Sequence, residues 1–557
     1  MTTWTSHIRG RRVPVFLALL ALAMLGPGTG TLPLQDRDEP RFAQAAREMM
    51  ERRDWIVPTF NGDYRFDKPP LIYWMMMAFY AAGGVNEWTA RAPSIVCAFL
   101  LAWLIWTAGA RWFGHPTGLL AAVMALTHFQ MAQHGRGAVA DMPMILSVLA
   151  AQIALFEKLA ERPDRPAFRG WFWVLYFAIG IGFLAKGPVA FLIPLLTVPV
   201  YWLFAGRPRL ALMRLRPFLG ACLALALIGA WGIPALMETD GEFARIGLGK
   251  HVLERGMEAF EGHGAPFFFY LLSSPVSLFP WSLFIPSAIV LAIRQRDPTV
   301  RFLAAWIVVT FVLFSLYATK LPHYVMPCYP AFFLLAARAI DLGVDPGRSA
   351  KVWSAVLFTI VGIAAVVLAI AAAAAWKAGP WPAGGMALLG ASLLFVGLAL
   401  IPRAVFRPGW GSVALAAMLT CAGTEALARG LRGINPTLRA MPALASLPPD
   451  TRCAFSSFRE PSVVFYTNRR WQTVDEGEEL RRFAEGPGPR ALLVRLHEQR
   501  LKPSGSRPPD PEREAWFLSL TNLGYEISRT DGWNAARSSR VILGVAVRRG
   551  EGERRVE

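Results

Sequence analysis

Residues 35–74 read QDRDEPRFAQAAREMMERRDWIVPTFNGDYRFDKPPLIYW, forty residues dense in charge and aromatic rings. They follow an apolar stretch that ends at Leu34, in a chain of 557 residues that is 54% hydrophobic, 12% aromatic and only 17% charged. Soluble domains carry roughly a quarter charged residues, so the chain as a whole reads as a polytopic membrane protein. The quoted stretch then reads as a loop outside the bilayer whose charges have a task.

Outward from this loop, a crossing needs about 20 apolar residues. Candidate spans lie near 13–33, 88–112, 116–133, 141–158, 171–185, 188–205, 217–236, 267–293, 302–319, 323–340, 352–375, 384–401 and 411–428. The expected fold class is therefore an all-α polytopic membrane protein of about 13 transmembrane helices with interfacial helices. The opening HIRGRR and its apolar run could form a signal peptide ending at ALA, but the run continues to Leu34, which favours an uncleaved first span.

The formal charge is +18, yet Lys and Arg fall in short clusters between apolar runs. That pattern is the positive-inside signature, and it speaks against nucleic acid as a partner. The clusters at Arg9–Arg12, Lys158–Arg169, Arg207–Arg216, Arg294–Arg301, Arg348–Lys351 and Arg403–Arg407 are assigned to the cytoplasmic face. Parity then puts the N-terminus inside, and the loop 35–70, the loop GRGAVAD, the loop 238–266, the turn TKLPHY and the C-terminus outside.

The division expected from composition is a membrane domain over 1–429 and a C-terminal extracytoplasmic domain over 430–557. In the latter the short apolar runs CAFSSF, SVVFYT, ALLVRL and VILGVAV alternate with helix-like and Pro-rich segments, the pattern of a small α/β domain. Cys97, Cys222, Cys328 and Cys421 lie in apolar runs and Cys453 is alone in the polar part, so no disulfide is inferred there.

Within the loop, Phe42, Ala45, Ala46, Met49 and Met50 recur at helical spacing, which predicts an amphipathic helix at the interface. Asp36 and Glu39 match an acidic version of the capping box, and Asp38 reads as a helix cap or as a reactive carboxylate. Asp67 and Lys68 precede two prolines, whose rigid junction presents a carboxylate and an ammonium together, as a site or as a surface pair. Asp141 in RGAVADMP reads as an N-cap or a second site acid, and Lys186 in LAKGP as a phosphate contact or a snorkelling lysine. His251 and Arg255 in HVLER share a helical face, and Lys320, His323 and Tyr324 occupy the turn TKLPHY, where Tyr324 also suits an aromatic belt.

The order DEPRF, then REMMERRDWIVPTFNGDYRFDKPPLIYW, resembles the first outer loop of the aminoarabinose transferases that modify lipid A, and more broadly the protein O-mannosyltransferase-like enzymes of the multi-spanning C type. The resemblance extends through RGAVADMP, FLAKGPVAF and KLPHYVMP and fades over the C-terminal part. It implies a C-type glycosyltransferase fold in a bacterial inner membrane and transfer of a sugar from a polyprenyl (undecaprenyl) phosphate carrier to lipid A or another envelope glycan at the periplasmic face. By residue, it implies Asp38 as the catalytic base, Asp141 as a second acidic catalytic position, Lys68, Arg255, Tyr324 and Lys186 at the carrier phosphate, and Asp67 with His251 as the pair for a divalent metal. No other cofactor is implied. This chain has Asp67 where the family commonly has Glu, and Pro40 and Phe42 where the lipid A enzymes commonly have Thr and Tyr.

A transporter or flippase of lipid-linked sugars is the alternative from another class. It calls for ionisable residues deep within spans and repeated halves, and the sequence offers few of the first and no convincing instance of the second. A plain membrane anchor would leave the outer loop unexplained.

Overall fold

A computed structural model describes residues 12–160, 170–205, 214–247, 249, 265–345, 348–378, 382–406, 410–445, 447–500, 509–534, 537 and 539–549. The chain starts with α1 (Arg12–Leu25) and reaches the outer loop, which contains α2 (Asp38–Arg52) and the hairpin β1 (Thr59–Phe60) and β2 (Asp63–Tyr64). The membrane part continues with α3 (Leu71–Gly83), α4 (Glu87–Phe113), α5 (His115–Thr127), α6 (Phe129–Gly135), α7 (Asp141–Leu159), α8 (Trp171–Lys186), α9 (Val189–Ala205) and α10 (Pro217–Glu238). After α10 come α11 (Phe269–Ser277), α12 (Ile285–Arg294), α13 (Pro298–Leu316), α14 (Tyr329–Asp341), α15 (Arg348–Ala378), α16 (Pro382–Phe406) and α17 (Trp410–Ile434).

Each expected span falls on one of these helices or on a broken pair. Among the described residues five helices are long and apolar enough to cross by themselves: α4, α7, α10, α13 and the stretch Pro382–Arg403 of α16. α11 and the helical stretch Trp281–Arg294 form a pair bent by 118°, and α1, α3, α5, α8 and α9 are shorter apolar helices. The outward residues are those of a lipid-facing surface: Leu203 and Phe218 are 81% and 83% exposed. The first span does not run to residue 33, because Gly26, Pro27, Gly28 and Gly30 turn the chain after Leu25.

Close packing explains two local features. The turn LAKGP joins α8 to α9 through Gly187 at φ 77°, a conformation that side chains resist. α16 and α17 lie so close that a Cβ on Gly390 would come within 2.2 Å of the Leu427 nitrogen, so small residues at that face allow the contact.

The C-terminal part begins with α18 (Pro436–Leu444) and is built on β3 (Arg452–Ser456), α19 (Pro461–Thr467), β4 (Trp471–Thr473), α20 (Glu478–Glu485), β5 (Arg490–Arg500), α21 (Pro511–Ser519), β6 (Glu526–Asn534) and β7 (Ser539–Arg548). The sheet order is β4-β3-β5-β7-β6, parallel from β4 to β5 and antiparallel beyond. Alternate residues serve its two faces: Cys453, Phe455 and Leu493 pack in one cluster, and Ala454, Leu492 and Val494 in the other. The run SVVFYT, grouped in the sequence with the strand-like runs, forms the helix α19, with Pro461 at its first position.

The helix α2 departs from its expected setting. Phe42, Ala43, Ala45, Ala46 and Met49 are buried against Ile72, Tyr73, Met76 and Met77 of α3 and Phe465 of α19. Protein, rather than lipid headgroups, covers that face.

Candidate active site

The start of α2 is held by an ion pair with few degrees of freedom. Arg91 of α4 meets Glu39 at both oxygens, with Nε to Oε1 at 2.9 Å and Nη2 to Oε2 at 2.7 Å. The same guanidinium donates to the carbonyls of Thr29, Leu32 and Pro33, while Glu39 also accepts from the amides of Gln35 and Ala138. A buried charge is tolerated when its hydrogen bonds are filled in this way. Glu39 is therefore a tie between loop and bundle, and the expected capping box with Asp36 does not form; no side chain caps α2 at its N-cap residue, Arg37.

Asp36 turns away instead and accepts from the amide and hydroxyl of Ser462, at 2.8 and 2.6 Å. Burial and the nearby Glu460 push its carboxyl up to about 7, against the Ser462 hydrogen bonds and Arg41. Between these two anchored acids, Asp38 is left exposed. Its charge acts on Arg41, Arg65 and Lys186.

The hairpin and the Pro-Pro junction bring a second group. Arg65 Nη2 and Lys68 Nζ each lie 2.9 Å from a different oxygen of Asp67. Arg65 also donates through Nε to the Tyr73 hydroxyl at 3.0 Å and stacks 5.0 Å over the Phe42 ring. Burial works against its charge, but Tyr73, Asp67 and Asp38 hold the guanidinium above its ordinary value. Burial and Arg65 push Arg41 the other way, below its ordinary value.

A third group comes from the ends of two membrane helices. Asp141 starts α7 and Lys186 ends α8, and their Oδ1 and Nζ lie 2.5 Å apart. His134 Nδ1 is 3.8 Å from the other Asp141 oxygen, its ring lies 4.8 Å from that of His323 at a tilt of 42°, and Lys186 Nζ is 6.0 Å over the Tyr324 ring. Asp141 caps nothing: the N-cap of α7 is Ala140, without a side-chain bond. Lys186 does not snorkel; its partner is a carboxylate 45 residues away in sequence.

Two cavities meet on these groups. A polar chamber of about 1040 Å³ is lined by Asp38, Arg41, Arg65, Asp67, Lys68, Asp141, Lys186, His323 and Tyr324 among others. An apolar groove of about 300 Å³ is walled by residues such as Phe183, Leu192, Ile228, Trp231 and Leu313. Asp67, Lys68, Asp141, Lys186, His323 and Tyr324 belong to both. A molecule with an anionic head and an apolar tail fits this junction, head on the lysines and tail in the groove, with an exposed carboxylate across the chamber.

Of the residues expected from sequence, Asp38, Asp67, Lys68, Asp141, Lys186 and Tyr324 thus line one chamber. Arg255 and His251 lie outside the described residues. Arg41, Arg65 and His134 were missed. Arg41 had a signal, one helical turn after Asp38, and Arg65 another, two residues before Asp67 and directly after the hairpin; His134 had none. Among the described residues no three His, Cys, Asp or Glu side chains group to hold a metal. Both Asp67 oxygens face cations, and His251, its expected partner in a metal pair, is one of the residues outside those described.

Residues 67–233 match the family model described as dolichyl-phosphate-mannose-protein mannosyltransferase. The undecaprenyl phosphate-alpha-4-amino-4-deoxy-L-arabinose arabinosyl transferase of Pseudomonas aeruginosa is 32% identical over 314 residues, 56% of each chain. The chain spans between about half and two thirds of the length of the curated relatives it matches. Among solved structures, ArnT from Cupriavidus metallidurans bound to undecaprenyl phosphate superposes with a TM-score of 0.73 at 20% identity, over 95% of this chain and 97% of that one. The Archaeoglobus fulgidus oligosaccharyltransferase in complex with Zn and sulfate gives a TM-score of 0.50 at 12% identity, over 87% of this chain and 68% of that one. These matches bear out the resemblance read from the outer loop, and the fold is that of the C-type glycosyltransferases.

Proposed function

We propose that this chain is a membrane glycosyltransferase that moves a sugar from a polyprenyl phosphate carrier, undecaprenyl phosphate, to a hydroxyl of lipid A or another envelope glycan. The observation that carries the reading is the wall shared by chamber and groove, where Lys68 and Lys186 sit with Asp38 facing the same chamber. The names of the relatives point to the same donor class.

In this reading the polyprenyl tail occupies the groove and its phosphate rests on Lys68, Lys186 and Tyr324, with Arg255 as a further contact. Asp38 accepts the proton of the acceptor hydroxyl as that oxygen attacks the anomeric carbon. The bond from the anomeric carbon to the phosphate oxygen breaks through an oxocarbenium-like state, and the electron pair leaves with the carrier phosphate. The lysines stabilise the charge that develops there. Asp38 then returns its proton to water. Asp141 holds Lys186 toward the phosphate and so assists the step without exchanging a proton. No step is assigned to a metal ion.

The same reading assigns residues 1–429 to the membrane domain and 430–557 to a periplasmic domain, with the N-terminus cytoplasmic in a bacterial inner membrane. The test is transfer of labelled sugar from polyprenyl phosphate donors to an envelope lipid extract by the purified protein. Transfer that requires both the carrier and a glycolipid acceptor is expected. Movement of lipid-linked sugar between leaflets, with no transfer from any donor, would overturn the reading in favour of a transporter.

A further inference from the structure

The C-terminal part touches the outer loop at several points, and one of them lies two residues before Asp38. The Leu34 amide donates to the Tyr466 hydroxyl at 3.0 Å, and that hydroxyl donates to Glu87 of α4 at 3.1 Å. Two residues on, both Asp36 oxygens are taken by Ser462. The Ser462 hydroxyl is itself 2.8 Å from Thr437 of α18, and both side chains are fully buried. Farther along, Arg47 donates to the Phe465 carbonyl and Asn468 at 2.9 and 3.0 Å, and Asn61 exchanges two hydrogen bonds with the backbone of Trp471.

On the other flank of Asp38, Glu39 is locked to Arg91 in the membrane bundle. Asp38 is thus suspended between one anchor in the bundle and one in the C-terminal sheet domain. We infer that Asp36 and Ser462, backed by Thr437, are a positioning pair through which the C-terminal domain aims the Asp38 carboxylate across the chamber. This rests on the reading of Asp38 as the base in sugar transfer and gives the C-terminal domain a part in the reaction. Asp36 and Ser462 touch no substrate in this account. They act on the rate because a base displaced by a fraction of an ångström no longer meets the acceptor hydroxyl in line.

A purely structural bond and a positioning bond differ in what they change. The full-length protein is purified as wild type and as Ser462→Ala, Asp36→Ala, Arg47→Ala and Asp38→Asn, and each is measured for kcat, for KM toward the polyprenyl phosphate sugar, for carrier binding and for thermal unfolding. Ser462→Ala and Asp36→Ala are expected to lose about 10- to 100-fold in kcat, with KM and carrier binding unchanged. Arg47→Ala, which cuts a bond from the same C-terminal helix to a more distant part of α2, is expected to stay within about threefold of wild type. If Ser462→Ala and Asp36→Ala turn over at the wild-type rate, or if Arg47→Ala loses as much kcat as they do, the positioning role is overturned. Should Ser462→Ala unfold, Thr437→Val, which removes only the backing contact, takes its place under the same criteria. Asp38→Asn separates the two failures: if it transfers sugar normally, the reading of the base falls first, and if it is inactive while the Asp36 and Ser462 variants are unimpaired, this inference alone falls.

Discussion

Asp67 and Asp141 each hold a lysine at the wall shared by chamber and groove, but they are built in opposite ways. Asp67, Lys68 and Arg65 come from four consecutive positions at a rigid Pro-Pro junction, and the Asp67 and Lys68 side chains retain 22% and 19% exposure. Asp141, Lys186 and His134 come from three helices, and the Asp141 side chain retains 10%. The local cluster has a spare cation, since Arg65 still faces Asp67 when Lys68 is gone. In the assembled cluster, Lys186 is the cation nearest Asp141. The two lysines can serve the same phosphate while carrying different loads in the fold.

Breaking the assembled cluster therefore has the larger expected effect. Lys186→Ala leaves a buried carboxylate without its close partner, which costs about 3–5 kcal/mol when such pairs are broken. Thermal unfolding in detergent should fall accordingly and sugar transfer should be lost. Unchanged stability would mean that the pair is exposed in solution. The double variant Lys186→Met with Asp141→Leu removes both charges and is expected to recover most of that stability, to within about 2 kcal/mol of wild type, without recovering transfer. Recovered transfer would remove Lys186 from the phosphate site.

The local cluster should behave otherwise. Lys68→Ala is expected to lower transfer by about 10²-fold through lost phosphate stabilisation, yet to change stability by no more than about 1 kcal/mol. A large stability loss would show that Arg65 does not take over Asp67. The smallest effect concerns pH. The Asp36 carboxyl, lifted to about 7 with Glu460 and Arg41 as its charged neighbours, is ionised above that value and neutral below it. Its bonds from Ser462 are charge-assisted only when ionised, so transfer should fall by about two- to fivefold from pH 8 to pH 6. Asp36→Asn should flatten this limb, and an equal slope in that variant would assign the titration to another group.

The same contrast explains what was legible in the sequence. Asp67 and Lys68 stand out because two prolines fix their neighbourhood, and Asp38 because the charges around it are local. Lys186 read as a phosphate contact or a snorkelling lysine, and its carboxylate partner went unseen because it is 45 residues away on another helix. Ser462 carried no signal at all, 426 residues from Asp36. The spans were legible because twenty apolar residues have few alternatives, whereas the end of the first span depended on a glycine-rich turn that apolarity masks. The short run SVVFYT suited strand or helix alike, and its place against α2, with Pro461 at the first turn, decided for helix. Periodicity announced the apolar face of α2, but not whether lipid or protein covers it.

The most direct test of the account separates holding the carrier from attacking it. Undecaprenyl phosphate binding and sugar transfer are measured on the same preparation of Asp38→Asn. The account predicts carrier affinity within about twofold of wild type, because the phosphate rests on the lysine wall, together with a loss of about 10²- to 10⁴-fold in transfer. Transfer at the wild-type rate, or loss of carrier binding with the wall intact, would contradict it.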